Sequence, residues 1–260
     1  MLVLCAGCLT GTAGEGNQRE LVVFAASSLT ESLQDIATEF EEDNPGVAIT
    51  FSFAGSQQLR TQLEQGAQAD VFAPADWSQM NAVVDAGLVA GEAVSFATNR
   101  LVVIVPAQNT EINSMADLAQ PGVKLVLAQA EVPVGAYSRT AIDNLAASPQ
   151  YGTEYADRVL GNLVSEETNV RNVAQKVALG EADAGIVYQT DAMTPDIAER
   201  VRVIPIPGQF NVIASYRIAA LSESTRPDLA GQFIDFVLSD EGEQILAEYG
   251  FGPAGSAETS

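Results

Sequence analysis

Histidine does not occur in this 260-residue chain, and its two cysteines, Cys5 and Cys8, both fall in the first eight residues. The body therefore has no Ser-His-Asp triad, no His/Cys zinc site, no thiolate nucleophile and no disulfide. Cations are scarce as well: 12 Lys and Arg stand against 34 Asp and Glu, Lys124 and Lys176 are the two lysines, and the formal net charge is −22. Such a surface repels nucleic acid and offers no basic patch to a phosphate backbone, which argues against DNA or RNA as a partner. After the N-terminus no apolar run reaches the ~18 residues that a membrane-spanning helix needs. A body without cysteine also suits a compartment outside the cytosol.

What is present reads as a globular α/β chain. With 47% hydrophobic and 18% charged residues, it is long enough for one large domain or for two lobes of roughly 100 to 130 residues each. From Leu21, β-rich runs alternate with amphipathic ones: "LVVFA", "SLTESLQDIATEFEED", "VAITFSFA", "SQQLRTQLEQG", "ADVFAPAD". This alternation predicts βαβ units and a mostly parallel sheet. Leu29, Leu33, Ile36 and Phe40 recur at helical spacing, and "NPG" at 44–46 stops that helix. Leu59 and Leu63 mark a second helix, closed at Gly66. "NRLVVIVPAQN" at 99–109 is a strand followed by a break. A second series then runs "VKLVLAQ", "GAYSRTAIDNLAAS", "NVRNVAQKVALG" and "AGIVY". A closing block holds the strand "VIASYRIAAL" and two helical stretches from Pro227 to Phe251.

Four helices begin alike. Ser28-Leu29-Thr30-Glu31 fits a capping box, Ser56 follows "FAG", "VPVGAY" at 132–137 enters a helix through Pro133 and Gly135, and "TNVR" at 168–171 begins another. Each start leaves backbone N–H groups unpaired and carries roughly half a positive charge. An oxyanion set among several such termini receives donors and field together without any full cation. Tyr188, at the carboxyl end of the strand "GIVY", adds a phenol where α/β proteins contact ligands. Each element alone has a plainer reading: a serine cap, a core tyrosine, a turn. Their joint occurrence carries the argument.

"VFAASSLTESLQDIATEFE", "FSFAGSQQLRTQLEQGAQADVFAPAD", "VPVGAYSRTAI", "NVRNVAQKVALGEADAGIVYQTDA" and "EYGF" together resemble the bacterial molybdate-binding proteins of ABC importers, which are type II periplasmic solute-binding proteins. The likeness runs in order from about Leu21 to Phe251. It implies an α/β, two-lobed fold in which each lobe is a mostly parallel sheet flanked by helices and crossover segments form the hinge. The lobes would be residues 21–100 with 207–256, and residues 101–206. Carried over by position, the ligand residues are Ser28, Ser56, Val134, Val170 and Tyr188. In the family these hold a tetrahedral oxyanion through hydroxyls and backbone N–H groups. Alanine often stands where this chain has Ser27, so which serine of the pair faces inward stays open. Val134 replaces what is often alanine, a change that keeps a backbone contact but adds bulk.

The implied function is capture of molybdate, with tungstate, and delivery to an ABC permease and its ATPase, by a monomer with no cofactor and no directly coordinated metal. A receptor for another tetrahedral oxyanion, such as sulfate, is the alternative. An enzyme with Ser28 or Ser56 as nucleophile lacks a lysine at serine–lysine spacing, and a transcription regulator lacks a basic helix-turn-helix segment. The opening "MLVLCAGC" resembles the end of a lipoprotein signal, although Cys5 stands where an aliphatic residue is usual and the basic segment is missing. That likeness implies lipid on Cys8, residues 1–20 as signal remnant and tether, and a periplasmic or cell-surface location. A tag-like tail is the other reading.

Overall fold

The computed structural model describes residues 19–257, so Cys8 and most of the expected tether lie outside the described residues. β1 (Arg19–Ala26) passes through a 3-10 turn at Ser27–Leu29 into α1 (Thr30–Asp43). β2 (Val47–Ala54) leads to α2 (Ser56–Glu64), and β3 (Val71–Ala73) to α3 (Trp77–Asp85). A long β4 (Val89–Pro106) follows, then β5 (Leu125–Ala128), α4 (Pro133–Ala146), α5 (Tyr155–Gly161), β6 (Leu163–Glu167), α6 (Val170–Ala178) and β7 (Ala184–Tyr188). The single-turn helices α7 (Gln189–Ala192) and α8 (Pro195–Ala198) precede β8 (Val201–Pro205), β9 (Ile213–Leu221), α9 (Pro227–Val237) and α10 (Asp240–Glu248).

The apolar stripe of α1 is buried as its spacing requires: Leu33, Ile36 and Phe40 face inward. The Phe40 ring meets Phe233 of α9 edge-on, with centroids 5.5 Å apart. Truncating such a core aromatic to alanine costs about 3 to 5 kcal/mol. α1 ends where Asn44 Nδ2 donates to the Phe40 carbonyl at 2.8 Å, and Gly46 turns the chain at φ +85°.

The strand order is β2-β1-β3-β9-β4-β7-β5-β6, with β8 also paired to β4. β1–β2, β1–β3, β5–β6 and β5–β7 are parallel, as expected of βαβ units. β9 pairs antiparallel with β3 and β4, and β4 pairs antiparallel with β7 and β8, so the whole sheet is mixed. β4 joins the two parts: Val89–Arg100 pairs with β9, and Leu101–Pro106 with β7 and β8. The strand begins ten residues before the apolar run at 99–109 that betrays it, because its first half is partly exposed and shifts register twice. β6 and β8 carry no strong sequence signal either, since both are short and only partly buried.

Candidate functional site

Parallel pairing brings the helix starts to a common edge. Ala26 and Ala54 are register partners at the carboxyl ends of β1 and β2, so the Ser27–Ser28 turn and Ser56 emerge side by side. Ala128 and Glu167 are partners at the ends of β5 and β6, which lead into α4 and α6. The result is one small, tightly closed cavity of about 10 Å³ whose walls include Ser27, Ser28, Ser56, Val134, Val170 and Tyr188. All five residues expected from the sequence therefore meet, and Ser27 reaches the wall beside Ser28. Close approach needs glycine twice. A Cβ on Gly135 would lie 1.9 Å from the Gln129 carbonyl oxygen, and one on Gly55 would lie 2.3 Å from that of Thr168.

The expected capping box at Ser28 does not form. α1 is preceded by a 3-10 turn, and Leu29 stands at its N-cap without a side-chain cap bond. Ser28 Oγ instead lies 2.9 Å from the phenol oxygen of Tyr216 on β9. The Glu31 carboxylate takes both terminal nitrogens of Arg171, from α6. A guanidinium forked onto a carboxylate is a stronger interaction than a reach back to the backbone, so tertiary partners displaced the local ones.

The other hydroxyls are arranged with equal economy. Ser56 Oγ accepts the Ala75 backbone N–H at 3.1 Å. The Tyr188 phenol is buried without a hydrogen-bond partner. Burial, first of all, pushes the Tyr188 and Tyr216 phenols well above their ordinary range, so both keep their protons. Ser56 and Val170 are the first residues of α2 and α6, and Val134 is the second of α4. In such positions the backbone N–H has no acceptor within its own helix. α6 is capped by Asn169, whose side chain accepts from Asn172 N at 3.0 Å.

No charged side chain lines the cavity. Arg171, the nearest cation in sequence, is spent elsewhere: its Nε donates to the Ser27 carbonyl at 3.2 Å and lies 3.0 Å from Asp191 Oδ1, while its terminal nitrogens hold Glu31. Burial raises the Asp191 carboxyl to about 6, against the opposing pull of Arg171. Gln57 Nε2 donates to the Thr168 carbonyl at 2.9 Å, and Gln79 Nε2 to that of Glu131 at 3.2 Å. These contacts tie α2 and α3 to the segments that lead into α6 and α4.

Tyr216, Asp191 and the Arg171–Glu31 pairing were not visible in sequence. A tyrosine within "IASYRIAAL" is indistinguishable from core, and a cross-chain ion pair has no local spacing to betray it. A wider cleft lies at the joint between Leu101, Met193, Val203, Ile206 and Ile213. Its walls are largely apolar, and the Asn211 amide there is satisfied by both backbone groups of Leu101.

Hydroxyl side chains and helix N-termini gathered on two walls of one cavity mark a class: an α/β protein that holds a small solute. Residues 21–252 match the bacterial extracellular solute-binding proteins, and the chain belongs to that family. It is 43% identical over 234 residues to the molybdate-binding protein ModA of Mycobacterium tuberculosis, covering 90% of this chain and 84% of the relative. The periplasmic molybdate-binding protein of Azotobacter vinelandii shares the fold at TM-score 0.76 and 19% identity, covering 89% and 98%. The sulfate-binding protein SubI of Mycobacterium tuberculosis does so at TM-score 0.78 and 18% identity, covering 92% and 88%. Among the described residues no helix is long and apolar enough to cross a membrane.

Proposed function

We propose that this protein captures molybdate, and with it tungstate, and delivers it to the permease of an ABC importer without acting on it chemically. The observation that carries this reading is the Tyr188 phenol, buried without a hydrogen-bond partner in the cavity that also holds Ser28, Ser56, Val134 and Val170. An unpaired buried hydroxyl costs about 1 to 3 kcal/mol, and an oxyanion removes that penalty by accepting from it. The name of the 43% identical relative supports molybdate as that anion.

Residues 21–100 with 207–256 would form one lobe and residues 101–206 the other, with β4 and the return segment before β9 as the hinge. Ser28 and Ser56 then bind from the first lobe, and Val134, Val170 and Tyr188 from the second. The bonds from Gln57, Gln79 and Arg171 would hold the lobes together around the ligand. About six hydrogen bonds to a charged acceptor, each contributing roughly 1.5 to 3 kcal/mol, offset dehydration of a dianion without a cation. Sulfate carries the same charge but is smaller and leaves donors unpaired. The protein would act as a monomer without a cofactor, held at the membrane by lipid on Cys8, with the permease and its ATPase as partners.

Thermal shift and calorimetry with molybdate, tungstate, sulfate and phosphate test the reading. Molybdate and tungstate should raise the melting temperature most, because they bind the folded state alone. A large shift with sulfate and none with molybdate would replace the substrate.

A further inference from the structure

A serine in an anion site either donates its proton to the ligand or accepts one from it, because the hydroxyl has one proton and two lone pairs. Which it does decides whether a protonated oxyanion is welcome. Three serines line this cavity, Ser27, Ser28 and Ser56, and the hydroxyls of Ser28 and Ser56 are held differently. Ser56 Oγ accepts from the Ala75 N–H at 3.1 Å, and an amide can only donate. The Ser56 proton is therefore not used on Ala75 and is free for an occupant of the cavity that Ser56 lines.

Ser28 faces a phenol, which can act either way. Tyr216 is fully buried, does not line the cavity, and sits 2.9 Å from Ser28 Oγ. Asn99 is the other side chain that hydrogen-bonds that phenol, and it does so as a donor, because its own acceptor is taken. Its Oδ1 accepts the Arg100 N–H at 2.9 Å, and its Nδ2 donates to Thr190 Oγ1 at 2.8 Å. Ser28 Oγ is thus the open acceptor for the phenolic proton.

We propose that Tyr216 is a positioning residue for selectivity: by donating to Ser28 Oγ it turns the Ser28 proton into the cleft and takes up one of the two lone pairs with which that hydroxyl could accept a proton from the ligand. The inference rests on the oxyanion site described above and narrows its ligand class to anions that carry no proton. With Tyr188 as a third free donor, the cleft presents O–H groups on both walls. A monohydrogen anion such as phosphate near neutrality needs an acceptor, and the Ser28 hydroxyl, with its proton turned to the ligand and one lone pair taken by Tyr216, is poorly placed to supply one.

Tyr216→Phe isolates this role. The ring persists, and with it the edge contacts to Tyr188 at 5.8 Å and Phe251 at 5.4 Å; only the donor is lost. Calorimetry at pH 7 on wild type, Tyr216→Phe, Ser28→Ala and the double variant should show three results. Tyr216→Phe should weaken molybdate binding by about ten-fold, the size of one oriented hydrogen bond to a charged group. Its molybdate-to-phosphate affinity ratio should fall by at least as much, with the phosphate gain growing as pH drops from about 8 to 6 and the protonated anion accumulates. The double variant should match Ser28→Ala within about two-fold, because Tyr216 acts through Ser28.

Independent, multiplying effects of the two substitutions with an unchanged anion ratio would overturn the proposal and leave Tyr216 a packing residue. Should Tyr216→Phe not fold, a crystal structure of the wild-type protein with molybdate decides the matter. Ser28 Oγ within hydrogen-bond distance of both Tyr216 and a ligand oxygen supports it, and a phenol turned away refutes it. Wild-type protein that fails to bind molybdate at all would instead remove the function on which the inference stands.

Discussion

The two walls of the cleft supply donors by different means. On the wall built from β1 to β3, Ser27, Ser28 and Ser56 line the cavity, and the hydroxyls of Ser28 and Ser56 are each held by a neighbour, Tyr216 or the Ala75 amide. On the wall built from β5 to β7, Val134 and Val170 face it with aliphatic side chains and first-turn backbone N–H groups, and Tyr188 adds one unpartnered phenol. Side-chain chemistry should therefore matter on the first wall, and backbone geometry on the second.

The sharpest way to break this contrast is a pair of truncations measured by molybdate calorimetry. Ser56→Ala should weaken binding by about ten-fold or more, since it removes a charge-assisted donor and strands the Ala75 N–H. Val134→Ala should bind within about two-fold of the parent although it opens a small void, because the N–H stays. Equal losses from both would erase the distinction between the walls.

Tyr188→Phe probes the one side-chain donor on the second wall. Binding should weaken by roughly ten-fold, while the ligand-free protein should melt at the same temperature or higher, because a buried hydroxyl without a partner is gone. A variant that is less stable without ligand would show that the phenol has a partner within the protein.

The smallest effect concerns the ion cluster where the walls meet. The Asp191 carboxyl is raised by burial to about 6, above the ordinary carboxylate value. Its contribution to stability is thus complete below about pH 4 and is lost as pH rises through 6. Wild type should lose stability relative to Asp191→Asn between pH 4 and 7, as melting temperatures across that range will show. A difference that stays constant with pH would mean that Arg171 compensates the charge fully.

How far the chain could be read in advance follows the range of the forces involved. The stripe of Leu33, Ile36 and Phe40 fixed α1 because burial repeats with the helix turn. The convergence of Ser28, Ser56, Val134, Val170 and Tyr188 was legible because each lies at or just beyond the carboxyl end of a strand, and parallel pairing brings such ends together. The capping box misled for an instructive reason. Ser28 and Glu31 have the right spacing, but Tyr216, 188 residues away in sequence, claims the hydroxyl, and Arg171 claims the carboxylate. The first half of β4 was equally silent, since an irregular, half-exposed strand has no clean alternation.

Local order thus determined the alternation of strands and helices, the donor-rich helix starts, and the exclusion of histidine and thiol chemistry from the body. Those depend on periodic burial, backbone dipoles and composition, all of which act over a few residues or none. Packing alone decided that β4 serves both halves of the sheet, that Arg171 is neutralised by Glu31 and Asp191, and that Ser28 answers to Tyr216. The choice of a hydrogen-bond partner depends on which distant segments are pressed together once water has been excluded, and no short window of residues contains that information.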